Sequence, residues 1–436
     1  MKRHNILAIA CALIAGATSE ARSQLATPSA RSSAVANSYT ARARGYESPF
    51  WNPANLGLSD LPSWSVGVAG ASTYFNNNSL SYGQITDLYG EFLDDETKSK
   101  LLADIRSGDP DRMFEASADV NAAAAALSVW RFAFGVGSVG AGHLDVTPDA
   151  VELLLFGNAG EDGVGKDFDL EGSNGEAWAL SGAYVSYAQP FTIPALDYLN
   201  VRFSVGATVR YAVAHGLIGL YDRGTILTAD PLAVDVDAEV ISSNDADAGR
   251  AWALDFGAAM EYDEDLVVGI SLVNAFADIN WNEEDFEVRL LTATANFDST
   301  TSNDTTLAFA ELDPEDQTRI LEYLEAADVP KRLRLGGAYR VSPKFDLSAD
   351  FVELFGGRLR TRWERTFSLG GEFRPVPPLP LRVGLATDFS HFAYSGGLGI
   401  YMGPVHTDFS IGRWGVAGGD GVAAAISISI WPGTPY

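Results

Sequence analysis

Residues 331–355 read KRLRLGGAYRVSPKFDLSADFVELF, and their side chains change character at every second position. Leu333, Leu335 and Tyr339, then Phe345, Leu347, Ala349 and Phe351, share one parity; Arg332, Arg334 and Arg340, then Asp346, Ser348 and Asp350, share the other. Successive side chains of an extended chain point to opposite faces, so this alternation predicts two strands, each with one apolar and one charged face. Ser342-Pro343-Lys344 supplies the tight turn between them. The pattern runs on: Phe367, Leu369 and Phe373, then Leu381, Val383 and Leu385, oppose Arg358, Arg360, Arg362, Glu372, Arg382 and Asp388.

Two architectures share this parity. In a β-barrel crossing lipid the apolar set faces hydrocarbon, because a basic side chain on that face costs roughly 2 to 4 kcal/mol near the bilayer midplane, and the charged set faces the lumen. In a soluble sandwich the apolar set packs inward instead. Strand length and the N-terminus favour the barrel. Lys2 and Arg3 precede an uncharged apolar run from Ile6 to Ala17, the length of a signal-peptide core and short of the roughly 20 residues of a spanning helix. Small residues place the cleavage between positions 19 and 26. Cys11, the sole cysteine, would leave with the leader, so neither a disulfide nor a thiolate metal site is expected. No later segment holds 18 uninterrupted apolar residues, which excludes helical spans and leaves strands to do the crossing.

Charge narrows the partners. The chain carries a formal −27, and loss of the leader makes it more negative. Binding to nucleic acid rests on neutralising phosphates with Lys and Arg, so that class of partner is excluded. Membrane lipid is the expected one.

Period-two segments predict strands at 63–75, 79–86, 127–146, 176–191, 200–222, 224–241, 249–262, 265–281, 286–297, 331–341, 344–356, 359–374, 380–391, 395–402, 405–413 and 421–431. The expected fold is all-β: a transmembrane antiparallel β-barrel of about 14 strands, within 14 to 16. Short turns such as Asp263-Glu264-Asp265 alternate with long acidic connections at 87–120, 147–175, 241–249 and 298–328. Two of these should hold short helices. Asp94 and Asp313 are N-caps, Pro314 suits the first helical position, and Leu101, Leu102 and Ile105, or Ile320, Leu321 and Leu324, form apolar stripes.

Residues 34–58, AVANSYTARARGYESPFWNPANLGL, resemble the N-terminal plug of the FadL-like outer-membrane transporters of hydrophobic compounds, a superfamily that includes the PorV-like proteins of a bacterial secretion apparatus. The resemblance rests on Asn52, Pro53 and Ala54 just before the first strand, with Gly45 ahead and Leu56 and Gly57 behind. The long helical loops look nearer to uncharacterised members of that group. The resemblance implies a bacterial outer-membrane barrel of about 14 strands with an N-terminal hatch: a signal peptide at 1–24, a plug at 25–62 and the barrel at 63–436. It implies passive uptake of hydrophobic, fatty-acid-like small molecules. The alternatives are a secretion or surface-assembly platform binding other proteins, and a structural barrel without transport.

The residues support the plug on their own terms. Pro53 fixes its dihedral and biases Asn52 to an extended form, while Gly45 and Gly57 permit turns, so the segment is an irregular coil. Irregular backbone at membrane depth persists only inside protein or a water-filled cavity; a tether outside the membrane is the plainer reading. Phe50 and Trp51, with Asn52, Pro53 and Ala54, are the candidate ligand-binding or plug residues, against ordinary packing. Arg332, Arg334, Asp346, Asp350, Arg358, Arg360, Arg362 and Arg382 form a candidate charge lattice in the lumen, either lining a passage for anionic head groups or bracing the wall. No enzyme, cofactor or metal site is expected. His143, His215, His391 and His406 lie on separate segments without metal-ligand spacing, and nothing in the sequence pairs a serine with a histidine on the outer wall.

Overall fold

The computed structural model describes residues 29–88, 93–245, 247–296, 298–359, 363–416 and 419–432. The signal-peptide segment expected at 1–24, together with Arg360 and Arg362, lies outside the described residues. Fourteen antiparallel strands form a closed wall: β1 Trp64–Asn77, β2 Phe114–Val129, β3 Phe132–Val146, β4 Asn174–Phe191, β5 Val201–Asp222, β6 Gly249–Tyr262, β7 Leu266–Trp281, β8 Lys331–Ser342, β9 Phe345–Phe355, β10 Arg365–Phe373, β11 Leu381–Thr387, β12 Phe392–Met402, β13 Val405–Val416 and β14 Gly419–Ile430. Each pairs with its sequence neighbour in the wall, and β1 pairs with β14 from Val66 opposite Ile430 to Asn76 opposite Gly421, which leaves no edge.

The predicted faces are the observed ones. Val383 is 67% exposed, Leu369 47% and Leu335 43%, all pointing away from the lumen, whereas Arg382, Glu372 and Arg334 on the same strands are buried within it. Aromatic residues mark both rims of the outer apolar band. Phe132 meets Tyr187 at 4.7 Å and Phe191 meets Phe203 at 5.7 Å on the short-turn side; Tyr211 meets Trp252 at 4.8 Å on the other. Phe203 and Tyr211 share β5, and at ~3.3 Å per residue with a tilt near 40° they stand about 20 Å apart along the barrel axis, close to the height of a membrane-facing band.

Four departures from the sequence reading have local causes. The strand expected at 79–86 is largely a helix, Tyr82–Leu88, because Ser81 and Gln84 form a reciprocal cap: Ser81 N–H donates to Gln84 Oε1 at 2.8 Å and Gln84 N–H to Ser81 Oγ at 3.2 Å. The single strand expected at 127–146 is two, broken by Trp130 in the left-handed region at φ 54°. The connection expected at 87–120 ends at Phe114, where the alanine-rich start of β2 hides its alternation. The strands near 224–241 and 286–297 exist as Ile226–Ala229, Leu232–Ser243 and Phe286–Asn296, but with Thr300–Ala308 they form a ribbon above the wall, joined to it where Ile218–Asp222 of β5 pairs with 238–242.

The long connections carry the expected helices, Asp95–Arg106 capped by Asp94 and Pro314–Ala326 capped by Asp313. A third, Pro148–Phe156, has Thr147 as its cap and Pro148 at its first position. The helix at 314–326 lies over the mouth. It buries Ile320 and Leu324 against Trp178, Leu217 and Trp281 of the upper wall and Ile241 of the ribbon.

Candidate functional site

Residues 29–58 run inside the wall, which is what lets an irregular chain survive at this depth. Short helical turns at Ala30–Ala34, Gly45–Glu47, Ser48–Trp51 and Pro53–Gly57 satisfy part of its backbone, and wall side chains satisfy more. Asp350 accepts Tyr39 N–H at 3.1 Å and Thr40 N–H at 2.8 Å; Ser271 Oγ donates to the Trp51 carbonyl at 2.6 Å; Ser395 Oγ donates to the Ala34 carbonyl and accepts from Ala36 N–H.

Two patches of wall glycine receive the segment. At Gly206, Gly257 and Gly269, on adjacent strands β5, β6 and β7, an added Cβ would collide with Asn52 or Pro53. Asn52 is held there by its Nδ2 donating to the Ala258 carbonyl at 2.9 Å, while its Oδ1 accepts Ala54 N–H at 3.0 Å and shapes the turn. Gly370, Gly384 and Gly397, on β10 to β12, admit Ala34 to Ala36 in the same way. The Asn-Pro-Ala signature is thus a docking surface, with glycine opposite because only glycine leaves room for main chain against main chain.

Charge holds the short-turn end. Arg31 donates Nε to Asp408 at 2.8 Å and reaches His406 at 3.0 Å and Ser429 at 3.4 Å. Arg382 bonds Asp408 at 2.7 Å, Glu372 at 2.6 Å and Tyr401 Oη at 2.7 Å. Arg374 joins Glu372 to Asp346, and Arg42 of the inner segment lies 3.1 Å from Glu372. Nearby, Ala30 N–H donates to Ser427 Oγ on β14, Tyr46 N–H donates to Ser65 Oγ on β1, and the Tyr46 ring lies 5.4 Å from that of Trp431. A cavity of about 100 Å³ opens beside this network toward the short turns.

The long-loop side of the segment differs. A cavity of about 190 Å³ is floored by Ser32, Ser33, Ala36 and Trp51 and walled by Tyr74, Trp178, Trp363 and Trp414, with Asn37, Asp119, Asn121, Arg332 and Arg334 as its charged and amide groups. Trp363 and Trp414 meet edge to face at 5.1 Å, and Tyr74 meets Trp414 at 5.8 Å. Arg334 lies over the Trp51 ring at 4.3 Å.

The candidate residues therefore separate. Trp51, Arg332 and Arg334 line the outer cavity, whereas Phe50 turns away to pack on Tyr184 at 4.7 Å and on Arg210. Asn52, Pro53 and Ala54 face wall glycines rather than a cavity. Asp346 and Arg382 belong to the inner network, and Asp350 binds backbone of the inner segment. Arg358 sits at the mouth, 2.7 Å from Glu176 and 4.1 Å over the Tyr323 ring. Sequence reasoning did not single out Arg31, Arg42, Glu47 or Asp408. Asp408 carries a readable signal, since His406, Asp408 and Ser410 alternate with Phe409 and Ile411. A second pair it did not foresee, Ser181 and His215, meets on the outer face of the wall.

No family model and no curated protein sequence matches the chain. Solved structures do. The Pseudomonas putida toluene transporter TodX superimposes with a TM-score of 0.50 at 12% identity, covering 94% of this chain and 100% of that one. A Pseudomonas aeruginosa FadL homologue gives 0.47 at 12% identity, covering 95% and 100%. The likeness to TodX is one of fold: this chain is a closed antiparallel β-barrel of 14 strands.

Proposed function

We propose that this barrel takes up small hydrophobic compounds passively across the outer membrane, with residues 29–58 as the plug between an outer binding cavity and an inner exit. The observation that carries the reading is the aromatic cavity of about 190 Å³ resting on Trp51. A dry apolar cavity of about 150 Å³ is enough to hold benzene, so the space suits a single ring better than a long acyl chain. The toluene transporter among the structural neighbours supports the same size class. The charge network at the short-turn end supports a second reading, a barrel locked shut that serves as a platform or scaffold, because a passage there requires several buried ion pairs to part.

Titrating the purified barrel in detergent with toluene and with oleate, read by tryptophan fluorescence, separates these readings. Uptake predicts saturable quenching by toluene, and loss of about tenfold in affinity on Trp51→Ala, from one aromatic contact worth roughly 1.4 kcal/mol. Uptake of labelled toluene into cells expressing the barrel should rise above that of cells without it. No saturable response and no added uptake would leave the platform reading.

A further inference from the structure

On the lipid-facing side of the wall, away from both cavities, four polar side chains converge where the apolar band ends. Ser181 on β4 and Arg250 on β6 each sit directly opposite Val213 of β5, so the three form one outward row across adjacent strands. The β4–β5 ladder slips between Ala179, opposite Gly216, and Leu180, opposite Ala214, which leaves His215 as the extra residue of a bulge. A bulge re-aims a side chain and is a recurrent neighbour of active sites. Here it turns His215 onto the outer face, where Nε2 meets Ser181 Oγ in a short hydrogen bond. Asp247, in the connection leading into β6, is held 2.8 Å from Arg250 Nη2. The Arg250 guanidinium, and to a smaller extent His215, hold its carboxyl below the usual range, so this carboxylate stays charged within the field of the imidazole. One step toward the membrane centre, Tyr211 and Trp252 pair at 4.8 Å as part of the upper aromatic rim.

We propose that Ser181, His215, Asp247 and Arg250 form an ester-hydrolysing site, separate from uptake, whose substrate is the acyl ester of a phosphate-bearing lipid in the outer leaflet. A hydroxyl bonded to an imidazole is the arrangement that makes serine a nucleophile, recognised by geometry, not by sequence order, and Asp247, held by Arg250, supplies a carboxylate near enough for its field to reach the imidazole. Oγ attacks the ester carbonyl carbon as its proton passes to Nε2; the lipid alcohol departs, taking that proton, and leaves an acyl-serine. Water then attacks the acyl carbon, gives a proton to Nε2, and releases the fatty acid as Oγ recovers its hydrogen. The place suits the substrate, since ester groups of a bilayer lie at the level of its aromatic rim. Arg250 supplies the cation that a lipid phosphate requires. A polar pair that merely satisfies itself at the interface would need neither the carboxylate nor the guanidinium.

The test uses the full barrel in detergent, with its heat-dependent gel shift as proof of folding. A fluorophosphonate probe should label Ser181, identified by peptide mass spectrometry, and mixed micelles of phosphatidylglycerol should release fatty acid. Ser181→Ala and His215→Ala should each abolish labelling and lower release by a hundredfold or more, as loss of a nucleophile or general base does. Asp247→Asn should lower kcat with KM little changed, whereas Arg250→Gln should raise KM for phosphatidylglycerol. Absence of labelling at Ser181 in folded protein, or release unchanged in Ser181→Ala, overturns the proposal and leaves toluene uptake unaffected.

Discussion

Asp408 shows how much one side chain can carry inside this barrel. It is fully buried and accepts from both Arg31 and Arg382. Removing one member of a buried ion network strands the others without compensation, at a cost of about 3 to 5 kcal/mol. Asp408→Ala is therefore expected to lower the unfolding free energy of the barrel, read from urea titration, by that amount; an unchanged value would mean that water already screens the cluster. Sequence made such residues legible only where several share one face. Arg332, Arg334, Asp346 and Asp350 announce a charged side by repetition, while Asp408 is the single carboxylate on its strand, marked only by its alternation with Phe409 and Ile411. Arg31 and Arg42 were not legible at all, because an irregular segment has no period from which a direction can be read.

At the scale of elements, strands and helices were legible where alternation or a cap was undiluted. The caps at Asp94 and Asp313 place their helices directly, and the cap at Thr147-Pro148 is equally plain once sought. Trp130 escaped because an aromatic residue at positive φ gives no warning of a turn. The helix at 148–156 also carries a titratable clasp. Burial disfavours the charge on Glu152, yet Lys166 at 2.8 Å and Arg106 at 2.6 Å hold its carboxyl below the ordinary range. A carboxyl whose folded value is depressed stabilises fully above its unfolded value and loses that contribution as pH falls through the folded one. Hydrogen exchange across 148–168 is expected to quicken, relative to its intrinsic rate, as pH drops below the usual carboxylate range. Glu152→Gln should exchange quickly already at neutral pH and show little further change.

For the whole molecule the governing fact is which side of the wall meets hydrocarbon. Val383, 67% exposed at the middle of β11, tests it. In lipid vesicles Val383→Arg is expected to cost about 2 to 4 kcal/mol of unfolding free energy, whereas a surface site bathed in water would accept arginine at almost no cost. The two faces of the wall were readable from residues 331–388, and a wall of 14 to 16 strands from the period-two segments along the whole chain. The ribbon above the membrane was not, because its strands alternate as cleanly as those of the wall and only pairing shows that they rise out of it.

The meeting of β1 with β14 bears on how the molecule is assembled. Arg31 and Ala30 bind partners on β13 and β14, and Tyr46 binds Ser65 on β1, so the inner chain is fastened to both shores of the last join to be made. Zipping that join around an absent occupant would trap bare polar groups in a lined hollow. Occupancy of the hollow and completion of the ring are therefore coupled, each stabilised by contacts that the other supplies.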